Sequence, residues 1–302
     1  LASVHSWIFP EIQPVPEFTF EGGFRRAFTI QGNPIGLTLL QQNPGKPIQI
    51  LYKSDEVTKN DVLSKVRQTL NLDFNMKPVL DTMKAEPSLQ DIATKIKGIR
   101  PYVADTPFEA LIKSILQQQI SYQAANVITK RMVLKLGMTI QENEPIYTFP
   151  STEEILSAGA KGLKEFGVGY KIDYILNLCN LVVSKEVDID GMIGRPYDDV
   201  FAILQPIKGI GEWTIQALAI AGLSDYSVFP FGDLAVQKIL GKLIADGRRL
   251  TKKEVIRFAE STEEVGPQIL YFLMCADALG QIDNKPQREI HKRRKHPKTL
   301  DT

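Results

Sequence analysis

The chain has 302 residues, enough for one large domain or two ordinary ones, and its 43% hydrophobic and 24% charged content excludes a disordered or fibrous protein. Two cysteines, Cys179 and Cys275, cannot supply a four-thiolate metal site or a disulfide scaffold; the three histidines, His5, His291 and His296, lie near the termini, which speaks against a histidine metal centre or a Ser-His-Asp site. The net charge of +1 hides an asymmetry: residues 285–298 carry seven Lys and Arg against one Glu, a local +6, and residues 1–284 sum to −4, so charge alone does not argue for nucleic-acid binding. The longest apolar stretch, residues 215–223 with Gln216 inside it, is far short of a membrane span. Leu1-Ala2-Ser3-Val4-His5 shows no basic region followed by an apolar core, so an intracellular protein with no membrane partner is expected.

In chain order, residues 18–20, 24–31, 35–40 and 48–52 are short β-rich runs. Gly22-Gly23, Gly32-Asn33-Pro34 and Asn43-Pro44-Gly45 punctuate them, which predicts the hairpins of a small antiparallel sheet. From Lys59 the period changes: Val62, Val66 and Leu70 fall on one helical stripe, and Val79 and Met83 continue it. Helices are predicted at 107–119, 121–136, 152–158, 170–184, 198–205, 212–222, 233–244, 251–260 and 267–279. Thr106-Pro107, Ser151 with Glu154, and Thr251 with Glu254 supply start signals. The pattern is α+β: an N-terminal antiparallel sheet with helices over residues 1–90, a large all-helical region over 91–284, and a basic tail over 285–302. The tail reads either as a solubilising end or as a phosphate-contacting arm.

The most informative stretch runs from Leu204 to Leu218, Leu-Gln-Pro-Ile-Lys-Gly-Ile-Gly-Glu-Trp-Thr-Ile-Gln-Ala-Leu. It reads as a helix end near Gln205-Pro206, a Gly-Ile-Gly turn, and a second apolar helix beginning at once. Gly209 and Gly211 permit a tight hairpin and close approach of another backbone. Ile210 is expected to point inward, and the amides of residues 209–211 sit at a helix start, where unpaired donors suit a phosphate. By itself Gly-x-Gly fits an ordinary helix–turn–helix connection at least as well. A dinucleotide site fits worse, because no strand precedes the turn and a third glycine is missing. Twenty residues after Trp213, in Val228-Phe-Pro-Phe-Gly-Asp-Leu-Ala-Val-Gln-Lys, Asp233 stands where an N-cap belongs. Capping, worth ~1 kcal/mol, is one role for it; a carboxylate held behind an aromatic loop for chemistry is the other.

The Gly-Ile-Gly-x-Trp-Thr hairpin followed by such an aspartate resembles the helix–hairpin–helix (HhH-GPD) DNA glycosylases, and the tryptophan resembles their AlkA-type 3-methyladenine branch. Upstream, residues 108–125, Phe-Glu-Ala-Leu-Ile-Lys-Ser-Ile-Leu-Gln-Gln-Gln-Ile-Ser-Tyr-Gln-Ala-Ala, resemble that family's paired helices, whose junction carries the strand-separating wedge. The N-terminal sheet is similar to the AlkA-like arrangement, and the resemblance covers roughly residues 15–280.

The resemblance implies a monofunctional glycosylase of base excision repair that flips a damaged nucleotide out of double-stranded DNA, at a cost of a few kcal/mol. Gly209, Ile210, Gly211 and Thr214 would contact the DNA backbone. Lys208 would be a phosphate contact or a solvated surface charge. Gln118 or Gln119 would fill the hole in the stack or hydrogen-bond the orphaned base. Asp233 would stabilise oxocarbenium character at the sugar and orient the attacking water. Relatives that also cut the backbone carry a Schiff-base lysine where this chain has Trp213, so no lyase step is expected. Trp213, Phe231, Tyr122 and Tyr271 would form an aromatic pocket, and an indole face attracts a cationic N3- or N7-alkylated purine by about 2 kcal/mol. No metal or other cofactor is implied, and two cysteines exclude the iron–sulfur branch. The protein would act as a monomer in the cytoplasm and nucleoid, or in a nucleus. The rivals are an 8-oxoguanine glycosylase on the same fold, a non-catalytic DNA-binding module, and a helical scaffold without a nucleic-acid role.

Overall fold

Period-2 alternation builds the sheet. Strands β1 (Phe18–Phe20), β2 (Gly23–Ile30), β3 (Asn33–Leu40) and β4 (Gln49–Tyr52) form an antiparallel meander in the order β1-β2-β3-β4, as the turn residues predict. The register pairs Phe24 with Leu39, Arg26 with Leu37 and Phe28 with Ile35, so these side chains share one face. Its apolar members are buried in one cluster with Val62, Val66 and Leu70, the stripe of the first long helix. The computed structural model describes residues 1–43, 45–140 and 145–282; the basic tail, with His291 and His296, lies outside the described residues.

The helices are α1 (Ala2–His5), α2 (Lys59–Thr69), α3 (Lys77–Ala85), α4 (Gln90–Lys95), α5 (Pro107–Gln117), α6 (Tyr122–Leu136), α7 (Thr152–Phe166), α8 (Ile172–Val183), α9 (Tyr197–Leu204), α10 (Glu212–Gly222), α11 (Leu234–Ile244), α12 (Lys252–Ser261) and α13 (Gly266–Ala278). Thr106 caps α5, and Ser151–Glu154 and Thr251–Glu254 form reciprocal capping boxes. The helix expected at 152–158 runs on to Phe166. Gly159 breaks it with φ 58, but Leu163 and Phe166 beyond the break are buried in the core, and that burial restarts the helix. No helix among the described residues is long and apolar enough to cross a membrane.

The chain divides into two compact units. The first holds Leu1–Met76 and Gly98–Pro230, hence the sheet and α1, α2 and α5 to α10. At its centre α5 is buried on nearly every side, with Leu111, Ile112, Ile115 and Leu116 inaccessible to solvent, and it packs along α10. The second holds Lys77–Lys97 and the chain from Phe231 onward; there α13 packs against α3, α4, α11 and α12.

One polar network interrupts the apolar interior of the first unit. Arg26 lies on the buried face of β2 and donates to Glu17 Oε1 at 2.5 Å and Glu109 Oε2 at 2.7 Å. Lys113 donates to Glu109 Oε1 at 2.5 Å and Tyr102 to Glu17 Oε1 at 2.7 Å. A guanidinium fork shared between two carboxylates is the arrangement that makes such burial tolerable. It ties the sheet to α5.

Candidate nucleic-acid interface and active-site carboxylate

The Gly-Ile-Gly turn joins α9 to α10 in the first unit. Gly209 adopts φ +89, and a Cβ there would lie 2.2 Å from Cγ of the Tyr174 ring. Only glycine suits that position, on both counts. Gly211 differs: it is the N-cap of α10 with φ −103 and ψ 175, a conformation open to any residue, and an added Cβ would meet nothing within 4 Å. Packing inside the unit therefore does not require this glycine, which is a favoured residue at an N-cap and leaves the backbone open to approach from outside. Ile210 is buried in the core at 4% exposure, as expected, but its N–H donates to Ile207 O at 3.0 Å. Of the three turn amides, those of Gly209 and Gly211 meet no acceptor among the described residues. Unused donors just ahead of a helix start are the kind of groups that suit an anion. Lys208 is exposed on the same turn, and Trp213 is half-buried in the first turn of α10. Thr214, expected among the DNA-contacting residues, is instead 2% exposed and lies under the hairpin.

The α5–α6 junction is built against this hairpin. Gln118 ends α5, and its Nε2 donates to Gly209 O at 2.7 Å and Thr214 Oγ1 at 2.9 Å. Gln119 is exposed and holds φ 59, an uncommon value for a residue with a side chain. Ile120 beside it is 38% exposed. Ser121 then caps α6 through the Ala124 amide. Of the two glutamines, Gln118 has its amide directed to the hairpin and Gln119 stands at the outside of the turn. Tyr122 follows; its hydroxyl donates to Trp7 O at 2.8 Å, with the two rings edge to face at 6.0 Å.

Two further groups here escaped notice in the sequence. Lys171 is 2% exposed, and its Nζ donates to Leu116 O at 2.5 Å, on the last turn of α5; burial lowers its pKa. Tyr170, 53% exposed, stacks edge-on with Tyr174 at 6.0 Å. The available signal was Gly167-Val168-Gly169-Tyr170-Lys171, a second Gly-x-Gly whose glycines both hold positive φ.

In the second unit Asp233 is the N-cap of α11, extended at φ −64 and ψ 129, and its Oδ1 accepts from the Ala235 amide at 2.8 Å. Gln237, one turn on and 7% exposed, donates its N–H to Asp233 O and its side-chain amide to Gly232 O, which braces the loop ahead of the cap. Phe231 is half-buried in that loop. Tyr271, expected in the pocket, is 4% exposed on α13, edge-on to Phe272, and belongs to this unit's interior. No group of three or more His, Cys, Asp or Glu among the described residues is arranged to hold a metal ion.

Comparison with known proteins matches residues 112–264 to a sequence family described as the HhH-GPD superfamily base excision DNA repair protein. The chain is 26% identical over 233 residues to a DNA-3-methyladenine glycosylase of Bacillus subtilis, covering 76% of this chain and 75% of that one. Among solved structures it superposes on a 3-methyladenine DNA-glycosylase from Archaeoglobus fulgidus with a TM-score of 0.82 and 24% identity, over 93% of this chain and 96% of that one. An 8-oxoguanine glycosylase/lyase of Clostridium acetobutylicum, solved in complex with double-stranded DNA, superposes with a TM-score of 0.70 and 16% identity over 88% of both chains.

Proposed function

The chain belongs to the HhH-GPD superfamily of base excision DNA repair proteins, and on that premise we propose that it is a monofunctional DNA glycosylase that removes alkylated purines of the 3-methyladenine type from duplex DNA. The observation that carries the reading is Trp213 in the first turn of α10, immediately after a turn with two unused amides. Lyase relatives offer an amine at that position. An indole cannot form a Schiff base, but it attracts a desolvated cation by about 2 kcal/mol. The names borne by the Bacillus and Archaeoglobus relatives support the same substrate class.

The chemistry follows from a leaving group that is already charged. A purine alkylated at N3 or N7 leaves with the electron pair of its glycosidic bond and becomes neutral, so it needs no prior protonation. Positive charge then develops at C1′, where the Asp233 carboxylate stabilises it, orients the water whose oxygen bonds to C1′ and takes up the proton that water gives up. The Gly209 and Gly211 amides, with Lys208, grip a backbone phosphate without reading sequence, and Gln119 occupies the gap left by the flipped nucleotide. The protein acts as a monomer and leaves an uncut abasic site.

The test is base release from methylated duplex DNA, followed by chromatography. The native protein is expected to release methylpurines, and Asp233→Asn to bind DNA but release none. Release of 8-oxoguanine with strand nicking, or tight binding with no release of any base, would overturn the reading.

A further inference from the structure

Gln118 was one of two candidates for the residue that enters the DNA stack, and the hydrogen bonds give it a different task. Its single amide nitrogen donates both protons to the hairpin: one to the Gly209 carbonyl in the turn and one to the Thr214 hydroxyl under it, at 2.7 and 2.9 Å. From the other side of the junction, the buried Lys171 ammonium donates to the Leu116 carbonyl at 2.5 Å. Immediately after these two tethered residues, Gln119 holds a left-handed backbone. Such a conformation costs of order 1 kcal/mol and persists only where its surroundings enforce it.

We infer that Gln118 is a positioning residue that locks the phosphate-gripping hairpin and the Gln119 probe loop into one rigid body, so that seizing the backbone and filling the gap in the stack become a single event. The inference rests on the proposed glycosylase reading for its DNA substrate. Without the strut, the hairpin still has its Gly209 and Gly211 donors and binds phosphate. The probe loop loses its reference to the hairpin, and Gln119 is free to relax from its strained backbone. Displacements on the ångström scale at such a point cost up to about a hundredfold in productive geometry.

The test separates insertion from chemistry. A duplex is prepared with 2-aminopurine beside a stable abasic analogue, and its fluorescence, which rises on unstacking, is followed as protein is added. The native protein is expected to raise the fluorescence. Gln118→Leu, which offers no donor, and Gln119→Ala should each cut the rise at saturation about tenfold, and Gln118→Leu should retain the affinity of the native protein for the duplex within about threefold. The double variant should be no worse than Gln118→Leu alone, because the two residues act in series. Thr214→Val, which removes one of the two acceptors, should show the same loss in smaller measure and covers the case in which Gln118→Leu fails to fold. A rise undiminished in Gln118→Leu, or losses at 118 and 119 that multiply in the double variant, would overturn the inference. So would a Gln118→Leu defect confined to affinity. Because the probe carries no excisable base, a native protein that releases no methylpurine would sink the proposed reaction and leave this measurement interpretable.

Discussion

Asp233 has two properties that substitution can separate: a backbone acceptor at the start of α11 and a negative charge. Asparagine caps a helix about as well as aspartate, whereas alanine loses the cap at about 1 kcal/mol. Asp233→Asn is therefore expected to melt with the native protein, Asp233→Ala a little below it, and both to lose at least about a hundredfold in single-turnover base release, the scale of one preorganised electrostatic contact. Thermal unfolding and rapid-quench excision measured on the same preparations decide the matter. If Asn retains the native rate, the side chain is only a cap and the charge has no part in the reaction. Trp213 invites a complementary experiment. Borohydride reduction traps an amine–sugar Schiff base as a covalent DNA complex. The native protein should yield no trapped band, and a band would assign the reaction to the lyase branch.

At the scale of elements, the two glycines of the hairpin share a motif and not a reason. Gly209→Ala places a Cβ at φ +89 into the Tyr174 ring, so it should destabilise the fold by roughly 1–3 kcal/mol through strain and overpacking. Gly211→Ala meets open space at an ordinary φ; its melting should fall only by the loss of a favoured N-cap residue, about 1 kcal/mol or less, while DNA affinity falls because the new methyl occupies the approach of the phosphate. Equal effects of the two substitutions on melting would remove the argument that Gly211 is kept clear for a ligand. The Gly-x-Gly signature was legible in the sequence, as were the strands and the capping boxes, since each rests on neighbours a few residues apart. What was not legible is long-range. Gln118 reaches partners 91 and 96 residues away, and no local pattern marks which of three consecutive glutamines turns inward. Lys171 reads as a surface lysine until the C-terminus of α5 is packed over it. Likewise, nothing local to Lys77–Lys97 says that it joins the chain from Phe231 onward. Helical spacing also placed Tyr271 on a face without saying what covers it, and the fold buries it to 4% exposure.

At the scale of the molecule, the buried network around Arg26 sets how the fold responds to acid. Burial alone would raise the Glu109 carboxyl, but the Arg26 and Lys113 charges and their hydrogen bonds outweigh it and hold the pKa at about 2, against an ordinary 4.5. The same carboxylates keep the Arg26 guanidinium protonated despite its burial. A group whose folded-state pKa is depressed contributes stability above its unfolded pKa and loses it as pH falls through the folded value. The contribution of Glu109 should thus be fully present above about pH 4.5 and disappear between there and about pH 2, on the order of 3 kcal/mol in all. Arg26→Met should reverse that slope. It leaves Glu17 and Glu109 buried with Lys113 as their remaining cation, at a cost of about 3–5 kcal/mol near neutrality. Protonating Glu109 then relieves the repulsion, so the variant should gain on the native protein as the solution is acidified. Urea unfolding from pH 7 down to 3 would show two converging curves. Parallel curves would mean that Arg26 acts by packing alone, with its cation over the Phe28 ring at 5.1 Å, and that charge pairing does not hold the sheet to α5. Converging curves would show that charge pairing holds the sheet to α5, the helix that ends at Gln118 and the probe loop.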